Sequence, residues 1–396
     1  MAGISHRTYT LGTENAFVVL AEVKKRLRAG EDIINFCIGQ PDFDTPDNIK
    51  QAAITAINEG KSGYTPSRGI TELREAVANY FSRTRGIQAD PEHVAVACGG
   101  KPFIYWSILS TTDSGVGDEV IYPNPGFPIY ESQIKANDTV PVPTPLLEEN
   151  KFSFSIDDLN EKISSKTKLL ILNSPQNPTG SLIPKHDLEE IAKLAIEHDF
   201  WVYSDEVYST LVYDDKFESI SAIPGMEDHA ILVDCVSKSH AMTGWRLGYA
   251  HNPKLAPHFA RWMTNTDSCA PHHVQWAAVE ALNGPQEVSQ MMTASFKERR
   301  DLIIGLLNDI DGVSCLTPGG AFYAWPNVTE ACKKVGAKNS EEFRRMLLDK
   351  GVAALADVHF GGKNPGVEQE YIRFSYATSK EGIVEGMKRM KEFVEG

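Results

Sequence analysis

Between residues 46 and 285 the chain alternates two hydrophobic patterns. Short, nearly continuous apolar runs fall at His93–Ala97, Glu119–Tyr122, Lys168–Leu172, Phe200–Tyr203 and Ala230–Val233, each followed by a Gly, Pro, Asn, Ser or Asp cluster. Runs of that length bounded by turn residues predict buried strands. The stretches between them read as helices, and alternating β and α predicts an α/β fold with a mostly parallel sheet sandwiched by helices. Residues 15–29 read as a helix closed by Gly30. From residue 286 the pattern changes. Gln286–Ile310 predicts one long helix with a basic centre at Lys297, Arg299 and Arg300. Short strands follow around Gly320–Trp325 and Tyr371–Ser375, with helices at Ser340–Asp349 and Lys380–Val394. This predicts a large domain over 46–285 and a smaller α+β domain formed by 1–45 and 286–396.

In open parallel sheets ligands bind beyond the carboxyl ends of the strands, and here those ends carry the polar clusters. The run from Ser237 to Tyr249 follows the Ala230–Val233 strand and holds Lys238, Gly244, Arg246 and Gly248. A lysine at a buried strand end loses stability as a cation, which makes its amine a better nucleophile. Arg246 is a permanently charged fork suited to an oxyanion or phosphate. A Schiff-base lysine beside a phosphate-binding arginine is what pyridoxal phosphate needs. Gly99-Gly100-Lys101 precedes a predicted helix, where backbone N–H groups can cradle an anion; a plain tight turn explains it equally well. Phe127, in a proline-rich loop, either stacks on a flat ring or plugs the core. Asn177 sits in turn-forming sequence. Asp205 either pairs with a cationic ring nitrogen or caps a helix.

Composition narrows the function classes. The net charge of −14 argues against nucleic acid and anionic membranes as partners. No stretch approaches 18 uninterrupted apolar residues, and Met-Ala-Gly-Ile-Ser-His-Arg has no apolar signal core. The six cysteines form no C-x-x-C pair, so reduced thiols in the cytoplasm are expected. H-E-x-x-H and G-x-G-x-x-G are absent and no metal site is expected; Gly60-Lys61-Ser62 fails as a P-loop because Thr55 replaces the first glycine.

Taken in order, Asn177-Pro178-x-Gly180, Asp205-x-x-Tyr208, Ser237-Lys238, Gly244-x-Arg246-x-Gly248-Tyr249 and Arg373 resemble the class I aminotransferases, pyridoxal-phosphate enzymes of the aspartate aminotransferase fold. The resemblance extends to Gly39-Gln40-Pro41-Asp42-Phe43, Tyr64–Gly69, Pro318–Tyr323 and Tyr371–Ser375, and so spans about residues 15 to 390. It implies that Lys238 forms the Schiff base with pyridoxal phosphate and then shuttles a proton. Asp205 would hold the ring nitrogen protonated. Tyr208 and Asn177 would bond the ring O3′, and Phe127 would stack on the ring. Arg246, Ser237 and the Gly99, Gly100, Lys101 turn would hold the phosphate, helped by Tyr64 of a neighbouring subunit in a homodimer with shared sites. Arg373 would bind the substrate α-carboxylate, with the Gly39 backbone beside it. Two departures stand out: Cys235 replaces a phosphate-binding serine of some members, and Phe127 a tryptophan of many.

The implied partners are an L-amino acid and a 2-oxo acid such as 2-oxoglutarate. In one bacterial branch the lysine matching Lys101 contacts a distal carboxylate, which implies an aspartate-like donor; a solvated helix-start lysine is the alternative. Ala16 and Phe17 leave an aromatic or alanine-like donor open. A β-lyase on the same fold is a rival reaction. A cofactor-binding sensor is a third reading, which the short segment before residue 15 disfavours.

Overall fold

A computed structural model describes residues 3–396. Its centre is a seven-stranded sheet in the order Val94–Ala97, Gly248–His251, Ala230–Cys235, Trp201–Asp205, Thr167–Asn173, Glu119–Asn124 and Val140–Pro145. All five expected strands are present, extended or trimmed by one or two residues at an end. Every adjacent pair is parallel except those made by Gly248–His251, which runs antiparallel to both neighbours. The sheet is mostly parallel, as expected.

Two of its strands escaped the apolar-run reading. Val140–Pro145 reads Val-Pro-Val-Pro-Thr-Pro, and prolines argue against a central strand. It lies at the sheet edge, where Val140 N–H donates to Asp118 O and Leu146 N–H to Asn124 O, both at 2.8 Å. The N–H groups that face the neighbour therefore belong to even-numbered residues. Pro141, Pro143 and Pro145 fall on the free edge, where a missing donor costs no ladder bond. Gly248–His251 is only four residues long and begins within the glycine-rich segment after Lys238. A Cβ at residue 248 would lie 2.5 Å from the backbone of Gly99 and Gly100, so only glycine lets these strands approach.

Helices cover the sheet. Lys101–Thr111 follows the Gly99-Gly100 turn, and Asp47–Asn58, Thr71–Arg85 and His272–Asn283 pack together. The long helix spans Glu287–Asn308. Its basic centre is structural: Arg299 pairs with Asp42 at 2.6 Å, and Arg300 and Lys297 grip Asp214 at 2.5 and 2.6 Å. Beyond it, Leu355–Ala356, Ile372–Ser375 and Tyr323–Ala324 form a small antiparallel sheet. The Gly320–Trp325 strand is thus shorter than expected. Ile34–Asn35 pairs with Val352–Ala353, which stitches the N-terminal segment to the C-terminal third. A short helix at His6–Thr10 precedes the expected Asn15–Arg28 helix. No helix among the described residues is long and apolar enough to cross a membrane.

Candidate active site

The carboxyl ends of the parallel strands open onto a cavity of about 510 Å³. Lys238, Gly100, Lys101, Phe127, Asn177, Asp205, Tyr208, Ser237, Arg246, Gly39 and Arg373, scattered over more than three hundred positions, all line it. Gly99 stands one layer back, against Arg246. Tyr64 does not line the cavity and is 89% exposed.

Lys238 sits in the one-turn helix Val236–Ser239 that caps the Ala230–Cys235 strand. Its ammonium donates to Gly39 O and lies 5.8 Å from the Tyr208 ring centroid. Burial is the main cause of a pKa lowered to about 8; Arg373 and Arg246 lower it further, while Cys235 and Glu14 oppose the change. The amine is therefore far more available as a nucleophile near neutral pH than an ordinary lysine.

Asp205 ends the Trp201–Asp205 strand and leads into a turn, so it caps no helix. Its Oδ2 accepts a 2.6 Å hydrogen bond from Tyr130 Oη, whereas its buried Oδ1 has no partner. Burial pushes its pKa up to about 6, against the hydrogen bonds from Tyr130 and the Val207 backbone. A buried carboxylate oxygen without a donor is a poor arrangement unless a donor arrives with a ligand. Directly behind it lies a closed ionic network. Arg85 pairs with Glu206 at 2.7 Å and Asp234 at 2.6 Å, all three side chains at most 3% exposed.

Arg246 bonds only backbone carbonyls, Thr243 O at 2.9 Å and Cys98 O at 3.4 Å, and no carboxylate pairs with it among the described residues. Gly99 has φ of +98°, and a Cβ there would lie 2.2 Å from the Arg246 guanidinium. The turn is thus shaped to let arginine and backbone converge on an anion. Ser237 adds a buried hydroxyl.

Arg373 is 3% exposed and has no acidic partner among the described residues. Nη1 donates to Asn177 Oδ1 at 2.8 Å and Nη2 to Cys37 O at 2.6 Å, while Nε has no partner. The rings of Tyr323 and Phe360 flank the guanidinium at 4.4 and 4.7 Å. An unpaired buried cation of this kind is prepared for a carboxylate. Tyr208 and Tyr323 share a 2.7 Å hydrogen bond between hydroxyls.

These groups fit pyridoxal phosphate. Asp205 Oδ1 lacks a donor that a protonated ring nitrogen would supply. Arg246 lacks an anion that a phosphate would supply. Lys238 is the amine able to take the aldehyde.

Several contributors went unassigned in the sequence. Tyr323 ends the Pro318–Tyr323 motif and Tyr130 lies three residues after Phe127, but only folding reveals their partners. His359 and Glu14 carried no signal. His359 lines the cavity with its Nε2 3.4 Å from Glu341, and burial pushes its pKa down against the Glu341 charge. Glu14 pairs with Lys101.

Comparison with known proteins gives the family and the fold. The family model "Aminotransferase class I and II" matches residues 31–390. The aspartate aminotransferase of Bacillus subtilis is 36% identical, covering 99% of both chains. The asparagine–oxo-acid transaminase of Streptococcus mutans is 36% identical over the whole of both. The structure of Thermus thermophilus aspartate aminotransferase with maleate superposes with a TM-score of 0.92 at 33% identity, covering 99% of this chain and 100% of that one.

Proposed function

The chain belongs to the class I and II aminotransferases and is a pyridoxal-phosphate-dependent transaminase, and from that premise we propose that its amino donor is a dicarboxylic L-amino acid, aspartate or glutamate, with 2-oxoglutarate as acceptor. The observation that carries this is that two further cations line the cavity besides Lys238 and Arg246. Arg373 is buried in its wall, and Lys101 stands there at the start of the Lys101–Thr111 helix. A substrate with carboxylates at both ends satisfies both charges. The name of the Bacillus subtilis relative, and the maleate bound to the Thermus thermophilus enzyme, support the same class.

Bound pyridoxal phosphate supplies a carbonyl that captures the substrate amine and a ring that spreads the charge left at Cα. The chain's residues do the rest. Arg373 holds the α-carboxylate bidentately, steadied by Asn177 and the Cys37 carbonyl. Lys238 Nζ takes the proton from Cα, and its lowered pKa lets the free amine act as base near neutral pH. Asp205 would hold the ring nitrogen, Tyr208 and Asn177 would serve the ring hydroxyl, and Phe127 would cover the ring. Arg246, Ser237 and the Gly99–Lys101 turn would hold the phosphate.

Tyr64 serves the partner's site in a homodimer, a role supported by its 89% exposure and its position outside its own cavity. The 46–285 segment forms the cofactor-binding domain, and 1–45 with 286–396 the smaller domain, a division supported by the pairing of Ile34–Asn35 with Val352–Ala353. We assign the protein to the cytoplasm, where its free cysteines stay reduced.

A second reading has its own observation. Ala16, Phe17, Leu20 and Ile104 give the cavity an apolar wall, and Lys101 is already paired with Glu14. That wall suits alanine-like or aromatic donors. Initial rates for a panel of amino donors against 2-oxoglutarate decide between them. The proposal fails if aspartate and glutamate rank below alanine and phenylalanine in kcat/KM.

A further inference from the structure

The mouth of the cavity contains an acid that the reaction does not require. Asp205 and Glu14 are the two carboxylates in the cavity wall, facing Lys101, Lys238, Arg246 and Arg373. Glu14 immediately precedes the Asn15–Arg28 helix, yet its side chain makes no capping bond there. It reaches instead to the Lys101 ammonium, 87 positions along the chain. The Glu14 side chain is 15% exposed and that of Lys101 46%, so the pair lies where the cavity meets solvent. The same ammonium lies 5.4 Å from the Phe127 ring centroid. A transaminase binds its donor and its acceptor in turn in one cavity, and the two can differ in side-chain charge. A bare Lys101 beside a neutral side chain would be a poorly paired, partly desolvated cation. Glu14 and a substrate's distal carboxylate cannot both sit on Lys101 without like-charge repulsion.

We propose that Glu14 is a specificity-determining residue, a tethered carboxylate that occupies the distal-carboxylate position on Lys101 when a neutral side chain is bound and is displaced by a dicarboxylic substrate. This rests on the reading of Lys101 as the distal-carboxylate group. Glu14 therefore widens the substrate range. It weakens dicarboxylate binding below what Lys101 alone would give, and it spares neutral amino acids an unpaired cation. Because Glu14 belongs to the N-terminal segment and Lys101 to the helix Lys101–Thr111, the exchange needs only a local movement of the segment before Asn15.

The test is steady-state kinetics of the pyridoxal-phosphate-loaded enzyme with aspartate, glutamate, alanine and phenylalanine. Glu14→Gln keeps the length and removes the charge, and with no capping bond to lose the helix is retained. The expected result is a KM for aspartate and glutamate lowered about five-fold, the scale of a partly exposed ion pair. The KM for alanine and phenylalanine should be unchanged or raised, and kcat for the dicarboxylates little altered. In a Lys101→Met background the same substitution should no longer shift the ratio between the two classes, because nothing remains to compete for. If Glu14→Gln changes both classes alike, or raises KM for the dicarboxylates, the competition is overturned. If Lys101→Met alone impairs all four donors equally, the reading of Lys101 itself falls, and this inference with it. If Lys101→Met is selective while Glu14→Gln is not, Lys101 keeps its role and only the exchange is rejected.

Discussion

The floor and the mouth of the cavity are built on different principles. The floor consists of strand ends. Asp205, Lys238 and Asn177 are placed by the sheet, and behind Asp205 the Arg85, Glu206 and Asp234 side chains close a network at most 3% exposed. Charges there have no solvent to fall back on, so each must be matched by protein or ligand. The mouth consists of the segment before Asn15, the first turn of the Lys101 helix and the Phe127 loop. Its Glu14–Lys101 pair is partly solvated and can be exchanged at modest cost. On the proposed assignments, the reaction is held by groups buried at strand ends, and the substrate side chain is read by a partly solvated ion pair.

The largest expected effect lies on the floor. Lys238→Ala removes the amine and the base together, so transamination should fall by about 10⁴-fold or more and the visible absorption of the lysine-bound cofactor should vanish. An unchanged spectrum would remove Lys238 from that role. Next comes Arg373→Ala, which deletes a buried charge shared by every substrate. KM should rise on the order of 10²-fold for all amino donors, measured side by side. A loss confined to one donor would make Arg373 a side-chain reader and erase the proposed division between floor and mouth. At the mouth, Lys101→Met should raise KM for aspartate and glutamate about ten-fold more than for alanine or phenylalanine.

The smallest effect is on stability. Burial lowers the Lys238 pKa to about 8 from an ordinary 10.5. Between these values the unfolded chain binds a proton that the folded chain does not, so the stability of the cofactor-free protein should rise with pH across that window. Below about pH 8 the folded chain carries the full cost of the buried ammonium. Lys238→Met should therefore stabilise the cofactor-free protein below pH 8, by about 3 kcal/mol at most. Its advantage should fade towards pH 10.5, as urea unfolding at several pH values would reveal.

Much of the floor was legible in the sequence, because strand-end residues follow apolar runs at short and regular distances. The apolar runs alone place Asp205 and Lys238 at a sheet's carboxyl edge. Partners distant in sequence were not legible. Tyr130 meets Asp205 across 75 positions, and Tyr208 meets Tyr323 across 115. Val140–Pro145 was hidden because its prolines oppose strand formation everywhere except on a free edge, and only topology says which strand has one.

By itself the amino-acid sequence determined the α/β alternation, the long helix after residue 286 and the chemical types able to serve pyridoxal phosphate. Local periodicity and turn chemistry act over a few residues, and that range is enough for elements and motifs. Tertiary structure alone decided which charges remain unpaired and which are satisfied. Arg246 and Arg373 keep their charge free for ligands, whereas Arg85, equally basic in the sequence, is fully engaged with Glu206 and Asp234. It also decided that Lys101 is held by Glu14, a contact set by where the N-terminal segment crosses the cavity rather than by any local pattern. Electrostatic energy depends on distance and burial in space, and neither can be read from separation along the chain.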